Sequence, residues 1–195
     1  ATIDNDINGI DVTIGSDTAI NTSLCAIDNI RDTATSLERI FVVEVMGRDS
    51  GYIALQVALA GGCEEAIIPE RKFNLESVCH EIVEGNLRGK VSWIIVVAEG
   101  AGSAEDIAKK ITEITSLETR AAVLGHIQRG GRPTAFSRHL AVNLGKEAVE
   151  CLLRGESDRA VGYSCGEITA VDFETAIKKK ELEVDRLYNL IKILT

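Results

Sequence analysis

The chain has 195 residues, 45% of them apolar and 26% charged, with a net charge of −9 and a pI near 4.9. That is enough chain to bury a sizeable core as one large domain or two small ones. It is too acidic for a nucleic-acid-binding module that neutralises phosphates over a broad face, although a local Arg/Lys cluster can still hold a small anion.

No apolar run reaches the length that spans a bilayer, and no signal peptide is visible at the amino end, so neither nucleic acid nor membrane is an expected partner. Cys25, Cys63, Cys79, Cys151 and Cys165 are odd in number and form no Cys-x-x-Cys pair. They read as reduced thiols, mostly small buried residues, of a cytoplasmic protein. His80, His126 and His139 lack metal-ligand spacing, so no structural zinc site is expected.

The chain opens on Ala1-Thr2-Ile3-Asp4-Asn5-Asp6, with turn formers Asn8, Gly9, Asp11, Gly15 and Asp17 close behind. This is exposed loop. From Asp17 to about Thr33, Ile20, Leu24, Ile27 and Ile30 keep helical spacing, and Ser16 or Asp17 is placed to cap the first turn. Arg39 to Met46 is a β-branched run of strand length, Gly47-Arg48-Asp49-Ser50-Gly51 a turn, and Tyr52 to Ala60 a helix closed by Gly61-Gly62. A short strand follows at Ala66-Ile67-Ile68, stopped by Pro69.

Asn74 caps the next helix, with Leu75, Val78, Ile82, Val83 and Leu87 on its apolar face and Gly89 at its end. Val91 to Ala98 is the most hydrophobic run and predicts a strand buried on both faces. Ser103 with Asp106 resembles a capping box for a helix to about Leu117. Arg120 to Gly125 is another strand, followed by the loop His126-Ile127-Gln128-Arg129-Gly130-Gly131-Arg132-Pro133. A helix from about Thr134 to Arg154, two short strands near 159–171 and a basic, then amphipathic, helical tail close the chain. Lys178-Lys179-Lys180 reads as a solvated face or hinge without a function.

Strands alternating with helices predict an α/β fold, a three-layer αβα sandwich around a mostly parallel sheet. Ligands of such sheets bind at the carboxyl ends of the strands. The polar residues of interest fall there: Met46-Gly47-Arg48, Glu99-Gly100, and Gly125 to Arg129.

Chemistry concentrates in two sets. Asp4 and Asp6 can divide labour, one taking a proton from a hydroxyl and the other facing a divalent cation, although an isolated Asp-x-Asp is more often a solvated turn. Arg48 and Arg129 sit in glycine-bearing loops, and Arg39 and Arg120 each open a strand. Guanidinium forks match phosphate oxygens in two-point contacts. Glu99 is a natural acceptor for sugar hydroxyls. Acids for hydroxyl chemistry beside a basic phosphate pocket point to a phosphorylated sugar.

Thr2-Ile-Asp-Asn-Asp6, Arg31-Asp-Thr, Arg39, Val43-Glu-Val-Met-Gly-Arg48, Gly61-Gly62, Pro69-Glu70 and Gly125-His-Ile-Gln-Arg-Gly-Gly131 together closely resemble the bacterial-type 6-phosphofructokinase family. The resemblance runs in register from residue 1 to about 165 and more loosely to the end. It implies transfer of a phosphoryl group from ATP, with Mg2+, to the 1-hydroxyl of fructose 6-phosphate. Asp4 would be the general base and Asp6 its partner near the magnesium. Thr2 would orient the hydroxyl or the transferring group, and Arg48 would stabilise charge on it. Met46 and Gly47 would line the sugar site and Glu99 would hold its hydroxyls. His126 and Arg129 would bind the 6-phosphate, joined by Arg39 and Arg120 from a neighbouring subunit of a homo-oligomer, a tetramer in the intact enzyme.

An effector site for a nucleoside diphosphate or phosphoenolpyruvate would use Arg31, Gly62, Glu64, Lys90 and Arg88, the last standing where Lys is common. By itself, the pair Arg88 and Lys90 reads as charges favouring a helix carboxyl end.

The same resemblance implies that residues 16–127 and 179–195 form the fructose 6-phosphate-binding domain. Residues 1–15 and 128–178 would be a remnant of the ATP-binding domain, whose nucleotide half precedes Ala1. Isolated in this form, the chain is expected to be inactive. Small Ala1 before the acidic motif favours ATP over pyrophosphate, whose users carry Lys there. The alternatives are a pyrophosphate-dependent enzyme or a non-catalytic sugar-phosphate-binding module.

Overall fold

The computed structural model describes residues 1–195. In chain order the elements are α1 (Ser16–Leu37), β1 (Ile40–Val45), α2 (Tyr52–Ala60), β2 (Glu65–Ile67), α3 (Leu75–Leu87), β3 (Trp93–Ala98), α4 (Ala104–Thr115) and β4 (Thr119–Val123). A short 3-10 helix (Gly125–Gln128), α5 (Ala135–Leu153), β5 (Arg159–Ser164), β6 (Glu167–Asp172), α6 (Phe173–Ala176) and α7 (Val184–Leu194) follow.

The first four strands form one sheet in the order β2-β3-β1-β4, parallel throughout, with Val43 opposite Val96 on one side and Ala122 on the other. Every residue of β3 is buried, because helices cover both faces of the sheet. Alternation along the strands sorts the core in two. Val43, Val45, Ile94 and Val96 meet Ile27 of α1, Ile53 and Val57 of α2, and Ile191 of α7. Val42, Ile95 and Val97 meet Val78 and Ile82 of α3 and Ile107 and Ile111 of α4. Each such side chain contributes about 1.5–3 kcal/mol on burial. The three-layer αβα architecture follows.

Local details depart from the sequence reading. Neither Ser16 nor Asp17 caps α1. Gly15 occupies that position at φ 112°, and the buried Ser16 hydroxyl donates to the Thr13 carbonyl. The Asp17 carboxylate instead accepts from the hydroxyls of Thr134 (2.5 Å) and Ser137 (2.8 Å), joining α1 to the start of α5. On α3, Leu87 is 82% exposed; the inner face uses Gly85, where a Cβ would lie 2.5 Å from the Trp93 ring. Strand β2 starts one residue earlier than read, at Glu65. Ser103 accepts from the Asp106 amide.

The last two strands pair antiparallel as a separate hairpin. Residues 1–15 lie against it: the Asp11 amide donates to the Tyr163 carbonyl at 2.8 Å, and the Asn8 amide to the Ala176 carbonyl at 3.2 Å. The opening loop thus bridges the sheet and the hairpin. No helix is long and apolar enough to cross a membrane.

Candidate active site

The opening loop is more ordered than its composition suggests. Asn5 is fully buried in the left-handed region at φ 56°. Its amide nitrogen donates to the Asp11 carbonyl at 2.9 Å and its amide oxygen accepts from the Thr13 backbone at 3.0 Å. One amide side chain thereby closes the loop on itself, and the two flanking carboxylates diverge. Asp4 turns inward and is buried; Asp6 is exposed. The Thr2 hydroxyl accepts from the Asp4 amide at 3.1 Å.

Burial pushes the Asp4 carboxyl above its ordinary value, and the neighbouring Asp6 charge pushes the same way. Arg48 and Thr2 oppose this, while Glu99 adds a smaller upward push. The Arg48 Nε lies 3.8 Å from Asp4 Oδ2. A partly desolvated carboxylate beside a cation that can swing away suits a group that must accept a proton.

Arg48 arrives from the turn after β1. Gly47 has φ 150° and Arg48 φ 53°, so two successive amides point to one side. Glu99 Oε1 fills that cradle, accepting from Gly47 N at 3.2 Å and Arg48 N at 2.7 Å. Glu99 therefore shapes the turn, a role that the sequence reading as a sugar acceptor did not include. Gly100 is required beside it, since a Cβ there would lie 2.0 Å from the Arg48 carbonyl oxygen.

Beneath the turn, Gln128 is fully buried. Its Oε1 accepts from Met46 N at 3.2 Å and from the Ser23 hydroxyl at 3.1 Å, and its Nε2 donates to the Gly125 carbonyl at 3.0 Å. Sequence reasoning gave Gln128 no role. The only signal was a polar residue inside a Gly-His-Ile-Gln-Arg loop. Burial turns it into the peg joining α1, the β1 turn and the loop after β4.

Thr2, Asp4, Asp6, Arg48 and Arg129 line one cleft of about 640 Å³, together with Ala1. Met46, Gly47 and Glu99 adjoin it through the turn. His126 is exposed in the 3-10 helix outside the cleft lining. Arg39 and Arg120 are not brought to the cleft of this chain. They stand at the amino ends of β1 and β4, where Glu118 pairs with Arg39 at 2.9 Å and also with Arg120. A six-residue strand, roughly 20 Å of chain, separates them from Arg48. For a magnesium ion, the exposed Asp6 carboxylate in a cleft that also holds cations is an adequate donor. Mg2+ characteristically uses one or two carboxylates plus substrate phosphates and water, and no denser cluster of ligands is present.

A second group of expected residues gathers elsewhere. Arg31 donates to the carbonyls of Gly61 and Gly62, the latter at 3.0 Å. Glu64, two residues on, pairs with Lys90 at 3.1 Å and accepts from Ile94 N at 2.7 Å. Lys90 also lies over the Trp93 ring at 4.5 Å. Arg88 stays on its own helix end, 4.0 Å from Glu84.

Beside a parallel α/β sheet, the opening loop and two glycine-bearing loops bring a buried carboxylate, a second acid and two arginines around one cleft. Residues 1–152 match the family model for phosphofructokinase, and the chain belongs to that family. It is 48% identical over 194 residues to ATP-dependent 6-phosphofructokinases of Clostridium botulinum (strain Loch Maree) and Clostridium novyi, covering 100% of this chain and 61% of each relative. The chain therefore spans about three fifths of the length of the curated relatives it matches. A phosphofructokinase structure from Saccharomyces cerevisiae superposes with a TM-score of 0.85 at 34% identity, over 91% of this chain and 25% of that one. A pyrophosphate-dependent phosphofructokinase from Marinobacter aquaeolei shares the fold, with a TM-score of 0.82 at 24% identity, over 99% of this chain and 58% of that one.

Proposed function

We propose that this chain supplies the sugar-phosphate side of an ATP-dependent 6-phosphofructokinase, with Asp4 as general base on the 1-hydroxyl of fructose 6-phosphate. The observation that carries the reading is the buried Asp4 carboxylate facing Arg48 at the end of β1. Its raised affinity for a proton, caused first by burial, makes it a better acceptor than a solvated Asp.

Thr2 orients the hydroxyl, and Glu99 holds the turn from which Arg48 reaches the phosphoryl oxygens as charge accumulates there. The Arg48 side chain is 70% exposed, so it is free to leave Asp4 for that task. Arg129, with His126 beyond the cleft wall, receives the 6-phosphate. Arg39 and Arg120 complete that site in a neighbouring subunit of a homo-oligomer. Asp6 would hold Mg2+, which neutralises the donor phosphates when bound. Phosphoryl transfer asks little covalent chemistry of a protein, so positioning and charge are the residues' whole contribution.

ATP is the donor this reading favours, supported by the likeness to ATP-dependent 6-phosphofructokinases at 48% identity and by small Ala1 at the cleft wall. We assign residues 16–127 and 179–195 to the sugar-phosphate domain and 1–15 and 128–178 to the nucleotide side. Arg31, Gly62, Glu64, Arg88 and Lys90 form the effector site for a nucleoside diphosphate or phosphoenolpyruvate. The protein works in the cytoplasm.

In the full-length enzyme, Asp4→Ser should lower turnover by roughly 10³-fold or more while fructose 6-phosphate affinity changes little, whereas Arg129→Ala should mainly raise KM. Coupled assays with ATP and with pyrophosphate test both points. Near-normal turnover of Asp4→Ser removes the base assignment, and turnover with pyrophosphate alone removes the donor.

A further inference from the structure

The tail segment between α6 and α7 carries three consecutive lysines that behave differently. Lys178 and Lys179 are exposed, while Lys180 is drawn inward. Its ammonium donates to three backbone carbonyls of the opening loop: Asn5 at 3.0 Å, Ile10 at 2.5 Å and Asp11 at 3.4 Å. An ammonium has three protons and no acceptor, so these carbonyls satisfy it completely. No carboxylate pairs with it directly. Burial lowers its affinity for a proton, opposed by the nearby Asp11 and Asp6 charges.

The place of attachment matters. The Asn5 carbonyl belongs to the peptide that joins Asn5 to Asp6, so Lys180 grips the backbone between the two cleft carboxylates. Four residues on, α7 begins, and Val184, Leu187, Tyr188 and Ile191 pack it against α2, the helix that follows the Arg48 turn, and against β2. Asn5 ties the loop to itself, and the hairpin contacts hold its far side. Lys180 ties the loop to the tail that packs on α2 and β2.

We propose that Lys180 is a positioning residue, fixing the spacing of Asp4 and Asp6 against Arg48 by suspending the loop backbone from the segment that leads into α7. The proposal rests on the general-base reading of Asp4.

The test uses Lys180→Met, Lys180→Arg and Lys179→Met in the full-length enzyme, with hydrogen exchange and steady-state kinetics measured on each. In Lys180→Met, amides of residues 3–13 should exchange about tenfold faster or more, as expected when charge-assisted hydrogen bonds are lost, while β3 amides stay unchanged. Turnover should fall about tenfold with KM for fructose 6-phosphate altered less than about twofold, because only the reacting groups are displaced. Lys180→Arg should recover part of both losses, and Lys179→Met should show neither. Equal acceleration of exchange in the loop and β3 would reduce Lys180 to a general stabiliser and overturn the proposal, as would unaltered loop exchange or unaltered turnover. A wild-type enzyme without sugar-phosphate kinase activity would sink the general-base reading instead, and it would do so whatever the exchange data show.

Discussion

Arginines stand at both ends of the four-stranded sheet, in opposite circumstances. At the carboxyl ends, Arg48 rides on a turn whose amides are bound by Glu99, and the Met46 amide at its base is bound by the buried Gln128. At the amino ends, Arg39 and Arg120 share the half-exposed Glu118 and little else. One site is held by its own chain through a set of hydrogen bonds that runs from the buried Gln128 to the exposed Glu99. The other is an ion-pair cluster at the sheet edge, with Arg120 exposed and Arg39 half-buried, in which Glu118 is the acid that both share. The contrast separates a centre organised by several segments of its own chain from an edge whose two arginines share one acid.

The largest effect should come from the peg. Gln128→Leu leaves Met46 N and the Gly125 carbonyl without their side-chain partner, while the Ser23 hydroxyl keeps the Ala19 carbonyl at 2.8 Å, and the loss should cost about 2–4 kcal/mol in urea unfolding. It should also speed exchange of the Met46 amide. A loss no greater than that of an average surface substitution would erase the distinction between the two ends.

Next comes the carboxylate that the centre strains. The folded-state value of Asp4 is raised, so the protonated form is favoured by folding. The stabilisation this gives is full below the unfolded value and is lost as pH rises through the folded one. At neutral pH its ionisation therefore costs stability. Asp4→Asn should raise the unfolding midpoint at pH 7, and the gain should shrink as pH falls through the raised folded value and vanish below the ordinary value for Asp. A carboxyl titration in metal-free protein should show Asp4 above 3.8, moving down in Asp6→Asn and up in Arg48→Ala. Shifts of the opposite sign would contradict the assigned causes.

The smallest expected effect sharpens the comparison from the other side. Arg120→Ala should leave the unfolding midpoint of this chain unchanged within error while weakening fructose 6-phosphate binding in the assembled enzyme. A clear loss of stability in the isolated chain would show that the amino-terminal edge is held internally after all.

The fold was legible because the burial pattern is written into the residues. The apolar run from Val91 to Ala98 announces the central strand, which the structure begins two residues later at Trp93 with Val91 exposed, and Asn74 announces the start of α3 by the chemistry of its side chain. The helix face on α3 was misread at Leu87 because periodicity does not say how far a neighbouring layer extends. The cap on α1 was misread because Asp17 found partners 117 and 120 residues away.

At the site, residue types with strong intrinsic chemistry were readable: Asp4, Asp6, Arg48 and Arg129 converge on one cleft. The residues that hold them in place were not. Gln128, Glu99 as a turn binder and Lys180 act through backbone groups distant in sequence, and a hydrogen bond to a carbonyl leaves no pattern in the chain that donates it.

The sequence by itself determined the layers, the parallel sheet and the chemical inventory of the cleft, since these follow from local propensity, apolar period and side-chain type. Only the tertiary structure decided which acid is buried, which arginine faces it and which lysine carries the loop. Those outcomes depend on desolvation and on contacts between segments that meet only when the chain is folded.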